Sequence, residues 1–198
     1  MRHHGFRERD RAWELVLDRG AFDPSALPDP VVALAGHGVA LTTLAAEGPG
    51  DPAVLRRVWA LHNASRRDQP PAEEHAEPIA FDAWVASMAV TPEVPPDGFF
   101  LAKTGDAYVG MTTLERRQAP PDGLRSGYTG VLPNHRGRGV ARALKLAAIA
   151  RARAQGHSVL TTGQHADNAA MLRVNELLGY RKAAARVRFA KELSTTAG

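Results

Sequence analysis

The residues with the clearest chemical potential lie between Gly130 and Leu146, in the run GVLPNHRGRGVARALKL. The end of an apolar strand, a proline-marked turn, a glycine-rich basic loop and an amphipathic helix follow one another there. In the pattern Arg136-x-x-Gly139-x-Ala141 the small residues let the turn come close to a bulky ligand, and the helix behind it offers the unpaired N–H groups of its first turn. A helix N-terminus carries roughly half a positive charge, so a diphosphate fits without a metal. Two familiar phosphate loops are excluded by spacing: a dinucleotide fingerprint needs a third glycine where Arg142 stands, and a nucleotide P-loop needs a Gly-Lys-Ser/Thr that is missing.

The charge pattern agrees with an anion site. No Asp or Glu occurs between Asp122 and Asp167, whereas Arg125, Arg136, Arg138, Arg142, Lys145, Arg151 and Arg153 all do, in a chain whose formal charge is only +4. Such a segment faces an anion or forms a solvated basic surface. Nucleic acid is the poorer partner, because aromatic residues are not interleaved with the basic ones and the glycines suit a compact ligand. The absence of Cys removes disulfides, Cys-based metal sites and a cysteine nucleophile. The histidines are scattered apart from His3-His4 and suggest no metal site; His135 is a candidate to approach the phosphates and His165 to line the reacting end of the ligand. No stretch approaches the ~20 apolar residues of a membrane span, and residues 1–18 lack an apolar run of signal length, so a cytoplasmic location and no membrane partner are expected.

With 198 residues, 44% of them hydrophobic, the chain suits one α/β domain with an appendage. Residues 1–36 read as an N-terminal arm with a strand over 10–18 and a short helix over 31–35. A domain over 37–198 follows. Its first strand spans 39–45, and Asp51-Pro52 opens a helix reaching about Arg67, with Val54, Leu55, Val58 and Trp59 on one side. A helix over 81–88, a hairpin over 98–114 and a strand over 126–132 come next. The long helix starts at Gly137, and a strand over 158–162, a helix over 169–178 and a strand over 182–190 complete the domain.

Against this background the run TGVLPNHRGRGVARALK, residues 129–145, resembles the acyl-CoA-binding segment of the GNAT superfamily of N-acetyltransferases. Residues 161–168 and MLRVNELLGY, residues 171–180, are similar to that family's following strand, pantetheine-facing Asn and closing helix. The resemblance covers about residues 37–193 and looks closest to GNAT domains found in tandem in actinobacterial proteins, including those related to mycothiol synthase. It implies a mixed sheet, antiparallel at first and flanked by about four helices, that splays between the strands 126–132 and 158–162. It also implies acetyl-CoA as cosubstrate, no metal, and direct attack by a primary amine of a small molecule or peptide in a ternary complex.

Carried over by position, the backbone amides of Arg136, Gly137, Arg138, Gly139, Val140 and Ala141 bind the diphosphate, with Arg138, Arg142 or Lys145 near the adenosine phosphates. Gly130, Val131 and Leu132 form the strand edge that pairs with pantetheine, a backbone N–H there polarising the thioester oxygen. Asn168 hydrogen-bonds pantetheine, or caps a helix, or does both. The catalytic positions depart from the family. Asn175 stands where many members have a proton-donating Tyr, and Gly127 and Tyr128 stand where many have a Glu base. Glu115 is the nearest acidic substitute and Tyr128 a relay. Without a dedicated base, an α-amine, needing about 1 kcal/mol to reach its neutral form at pH 7, is easier to use than a lysine amine needing roughly 4–5. The same departures suit a rival reading, a non-catalytic acyl-CoA-binding or regulatory domain. The part after Gly179 is also too short for the two-strand hairpin that usually closes this fold, so residues 10–18 are expected to supply the missing strand, within the chain or across a homodimer.

Overall fold

The computed structural model describes residues 5–18, 29–71, 77–89, 91–117, 123–157 and 159–191. Strands β1 (Arg7–Asp18), β2 (Ala40–Thr43), β3 (Phe99–Thr104), β4 (Ala107–Arg116), β5 (Leu124–Val131), β6 (Val159–His165) and β7 (Arg181–Ala190) form one sheet in the order β2-β3-β4-β5-β6-β1-β7. Neighbouring strands are antiparallel except β5 and β6. Helices α1 (Pro30–Ala35), α2 (Leu44–Glu47), α3 (Pro52–Arg66), α4 (Phe81–Trp84), α5 (Val140–Ala154) and α6 (Ala169–Leu177) cover the sheet, α4 continuing into a π-helical turn at Val85–Ala89.

Local chemistry sets the element ends. Asp51 accepts a hydrogen bond from Ala53 N at 2.8 Å and Pro52 takes the first helical position, so α3 starts where the sequence places it. The first strand of the domain is shorter than 39–45, because the Thr43 hydroxyl caps Ala46 N and turns Leu44–Glu47 into one helical turn. The long helix begins at Val140 rather than Gly137: Pro133–His135 form a 3-10 turn, and Gly137 and Gly139 take left-handed φ values of 74° and 81°.

Alternation along the strands divides the core between the two faces. Phe100 and Ala102 pack with Leu15, Leu34, Leu114, Leu124, Leu144, Leu160 and Leu178 under α1, α5 and α6. Phe99 and Leu101 pack with Leu44, Val58, Trp84 and Met111 under α2, α3 and α4.

Two features of the sheet position the site. The first is the break between β5 and β6, whose parallel ladder is limited to Leu124 with Leu160 and Arg125 with Thr161. Beyond Arg125 the strands diverge, and the β4–β5 register shifts between Thr112 and Leu114, so β5 carries an extra residue between Ser126 and Thr129. The second is β1, which lies within the chain between β6 and β7 and is antiparallel to both, with Leu15 opposite Thr162 and Val16 opposite Arg181. β1 thus holds β6 along the edge opposite the fork, from Val159 to His165. Leu15 is fully buried and Leu17 nearly so.

Because β1 is held by two neighbours and by Leu15 in the core, Leu15→Ala is expected to lower the unfolding free energy by about 3 kcal/mol. Deletion of residues 1–18, which also exposes the edges of β6 and β7, is expected to abolish cooperative unfolding. Urea denaturation followed by circular dichroism checks both, and an unchanged midpoint for Leu15→Ala would contradict this role of the arm.

Candidate active site

The fork between β5 and β6 leaves backbone groups of β5 without a strand partner. Leu132 N donates to Val109 O at 2.9 Å, so hydrogen-bonding direction alternates back along β5: Gly130 faces β4, while Val131 and Thr129 face the fork. Their carbonyls are taken by side chains, Val131 O by Arg136 Nε at 2.9 Å and Thr129 O by Gln69 Nε2 at 3.2 Å. Of the expected edge residues Gly130, Val131 and Leu132, then, Val131 presents its N–H to the fork, and Thr129 joins it.

Arg136 does more than contribute a backbone amide. Its guanidinium grips the Asp68 carboxylate, with Arg136 Nη2 to Asp68 Oδ1 at 2.8 Å, and holds the Asp68 carboxyl below the usual carboxylate range. The end of β5, the loop and the end of α3 are thereby tied together. Past Arg136 the loop fits a diphosphate. Gly139 is the N-cap of α5 and no side chain caps the helix; the first helical bond is Ala143 N to Gly139 O, so the N–H groups of Val140, Ala141 and Arg142 precede any helical acceptor. Arg138 is exposed and Arg142 half-buried beside this turn. His135 is half-buried in the 3-10 turn before it.

Lys145 is not near this loop's ligand face, which corrects the expectation from sequence. Its side chain is 1% exposed beneath the sheet, where Nζ donates to Ser126 Oγ at 2.9 Å and lies 5.3 Å from the Tyr180 ring centroid. Helical spacing explains the placement, since Lys145 follows Leu144 on the buried side of α5. Desolvation pulls the ammonium down to about 7, and no carboxylate lies within ion-pair distance among the described residues.

The expected catalytic residues separate into three environments. Glu115 lies on the α3 face of the sheet, its Oε1 accepting from Thr113 Oγ1 at 2.9 Å. A Cβ on Gly127 would collide with this carboxylate, so Glu115 fills the space directly over the position where the resemblance places a base. Tyr128 is otherwise engaged: its hydroxyl pairs with Ser65 Oγ at 2.9 Å and Gln69 Nε2 at 3.3 Å, its ring packs on His62, and burial pushes it up to about 12. It braces β5 against α3. Asn175 is fully buried on α6, and neither its Oδ1 nor its Nδ2 has a hydrogen-bond partner among the described residues. Asn168 caps α6, its Oδ1 accepting from Met171 N at 3.1 Å. His165 Nδ1 accepts from Asp167 N at 3.2 Å at the end of β6.

Beside Glu115 a cavity of about 400 Å³ opens, lined by Ser87, Met88, Thr91, Glu93, Thr113 and Glu115 among others. No spacing in the sequence marks it, because it depends on the π-helical turn Val85–Ala89 meeting the end of β4. Among the described residues no group of three or more His, Asp or Glu is placed to hold a metal ion, and no helix is long and apolar enough to cross a membrane.

Residues 58–180 match the sequence pattern of the family described as Acetyltransferase (GNAT) family. No curated protein matches the chain. Among solved structures, a GCN5-related N-acetyltransferase from Sphaerobacter thermophilus is 17% identical with a TM-score of 0.67, covering 94% of this chain and 53% of that one. One from Kribbella flavida is 16% identical with a TM-score of 0.60, covering 98% and 63%. The ribosomal-protein-S18-alanine N-acetyltransferase of Escherichia coli is 14% identical with a TM-score of 0.57, covering 81% and 99%. At these identities the likeness is one of fold. The chain spans about half the length of the Sphaerobacter protein.

The buried lysine makes stability depend on pH with a definite sign. Lys145 titrates near 7 in the folded chain and near ~10.4 when unfolded, so between these values the unfolded chain binds more protons and stability rises with pH. Relative to Lys145→Met, the wild-type chain is expected to gain up to roughly 4 kcal/mol over this window. Denaturation of both proteins across the window checks the sign, and parallel curves would contradict the burial of the amine.

Proposed function

Since the chain belongs to the GNAT family of acetyltransferases, we propose that it transfers an acetyl group from acetyl-CoA to a primary amine of a small molecule or peptide, without a metal. The observation that carries this reading is the join of an uncapped, glycine-turned helix N-terminus to a strand edge whose N–H groups face an open fork. Bound acetyl-CoA supplies an acyl carbon activated as a thioester. The amides from Gly137 to Ala141 hold the diphosphate, and the fork-facing N–H groups of Thr129 and Val131 run beside the chain that follows. Arg138 and Arg142 remain the basic side chains placed for the adenosine phosphates.

Glu115 acts as the base on the amine, and Thr113 orients its carboxylate. The cavity beside it admits the acceptor, and Glu93 adds a second negative charge there that favours a cationic one. Met88 and Val94 give the same cavity apolar wall. An amine with the low pKa of an α-amino group is the easier substrate. We place the reaction in the cytoplasm, with no nucleic-acid or membrane partner. We extend the resemblance over residues 37–193 to a kinship with tandem actinobacterial GNAT domains. Asn175, where a proton donor is common, favours the second reading, a domain that binds acyl-CoA without turning it over.

Calorimetry with acetyl-CoA and thiol release with a panel of amines separate the two readings. Gly139→Glu places a negative side chain at a left-handed position beside the helix N-terminus, and is expected to abolish acetyl-CoA binding. Glu115→Gln is expected to leave binding intact and lower turnover about 100-fold at neutral pH. Binding unchanged by Gly139→Glu would overturn the cofactor assignment. Silence across amino acids, peptides, aminoglycosides and polyamines, with binding intact, would favour the binder.

A further inference from the structure

Acetyl transfer as described above leaves one buried group without a task. Lys145 sits in the aliphatic core between Leu144 and Leu146, where a Met or Leu would pack without the penalty of a desolvated cation. Its hydrogen-bond partner, Ser126, is the first residue of β5 after the ladder to β6 ends, and Ser126 O is held by Thr162 Oγ1 at 2.9 Å. The amine therefore reaches the base of the fork through one hydroxyl. Because Ser126 Oγ accepts from Nζ, its own proton is left to be donated, and the Tyr180 hydroxyl is the neighbour placed to receive it in the resting protein. The Tyr180 hydroxyl lies near Ser126 without completing a hydrogen bond, and Tyr180 N bonds to Asn175 O at 3.0 Å, which brings the unpartnered Asn175 side chain into the same buried region.

From this geometry we propose that Lys145 and Ser126 form a proton relay to the sulfur leaving group at the fork, the task Asn175 has no proton to perform. The proposal rests on the acetyltransferase reading. Ser126 and Gly127 are consecutive, so the relay approaches from the α5 face while Glu115 lies over Gly127 on the α3 face, one on each side of β5. As the amine nitrogen bonds to the acyl carbon, the carbon–sulfur bond breaks with its electron pair on sulfur. Ser126 Oγ gives its proton to sulfur and takes one from Lys145 Nζ, leaving a neutral lysine amine. Glu115 takes the proton that the amine loses, and Lys145 regains one from solvent after the products leave. The groups facing Nζ are Ser126 from β5 and Tyr180 after α6, which burial keeps protonated; Arg125, the next charged residue on β5, is exposed.

The test follows Lys145 directly, by NMR of protein carrying ¹³C-labelled lysine, in the free state and with CoA or desulfo-CoA. The Lys145 midpoint, about 7 when free, is expected to rise by about one unit with CoA, as ammonium and thiolate stabilise each other, and to stay unchanged with desulfo-CoA. Lys145→Met and Ser126→Ala are each expected to bind acetyl-CoA as the wild type does and to lose about 100-fold in kcat. Lys145→Met should also lose the alkaline fall in kcat. Equal shifts with CoA and desulfo-CoA, or wild-type kcat in both variants, would overturn the relay while leaving the acetyltransferase reading intact. Absence of any acetyl-CoA binding by the wild type would overturn both.

Discussion

Among the described residues, two ladder pairs, Leu124 with Leu160 and Arg125 with Thr161, make up the strand pairing between the two halves of the sheet. Everything proposed for this molecule depends on the strands parting immediately afterwards. A parallel pair that stops after two residues leaves unsatisfied backbone groups on both strands, and each side needs another solution. On β6 the Thr162 hydroxyl reaches across to Ser126 O at 2.9 Å, while β1 pairs with the opposite edge from Val159 to His165. On β5 the carbonyls are met by Arg136 and Gln69, while the N–H groups of Thr129 and Val131 stay turned toward the gap. The fork is thus a built feature, stabilised from outside by an N-terminal strand and from within by side chains.

The same break organises charge. Ser126 and Gly127, consecutive on β5 at the base of the fork, lie on opposite faces, and the extra residue before Thr129 keeps Tyr128 on the same face as Gly127. Gly127 has no side chain, and the carboxylate of Glu115 occupies that space from the neighbouring strand. Ser126 instead meets the ammonium of Lys145 from below. The proposed acid and base thus lie on either side of one strand edge, at positions offset by a strand or a helix from those the family resemblance suggests.

Much of this was legible in the sequence. The glycine spacing from Arg136 to Ala141 marks the turn into α5, where Gly137 and Gly139 are left-handed, and the apolar run before Asp18 marks a strand of the sheet. These signals are local, carried by backbone demands that few residue types can meet. What escaped depends on register. Glu115 could be named as an acid near the site, but its position over Gly127 follows from a bulge that no spacing in the sequence announces. Lys145 was misplaced for a related reason: in a run of arginines it reads as one more phosphate ligand, and only the phase of α5 turns it inward. The cavity beside Glu115 is not legible because a π-helical turn, which no spacing announces, forms its wall.

The central claim is that one continuous surface, from the α5 N-terminus along the edge of β5 to the base of the fork, holds the acyl carrier. Backbone amide NMR with added acetyl-CoA tests it most directly. The account predicts large shifts at Gly137 to Arg142 together with Thr129 and Val131, and smaller ones along β2 and β3 on the far side of the sheet. Perturbation confined to the loop, with Thr129 and Val131 unmoved, would contradict it.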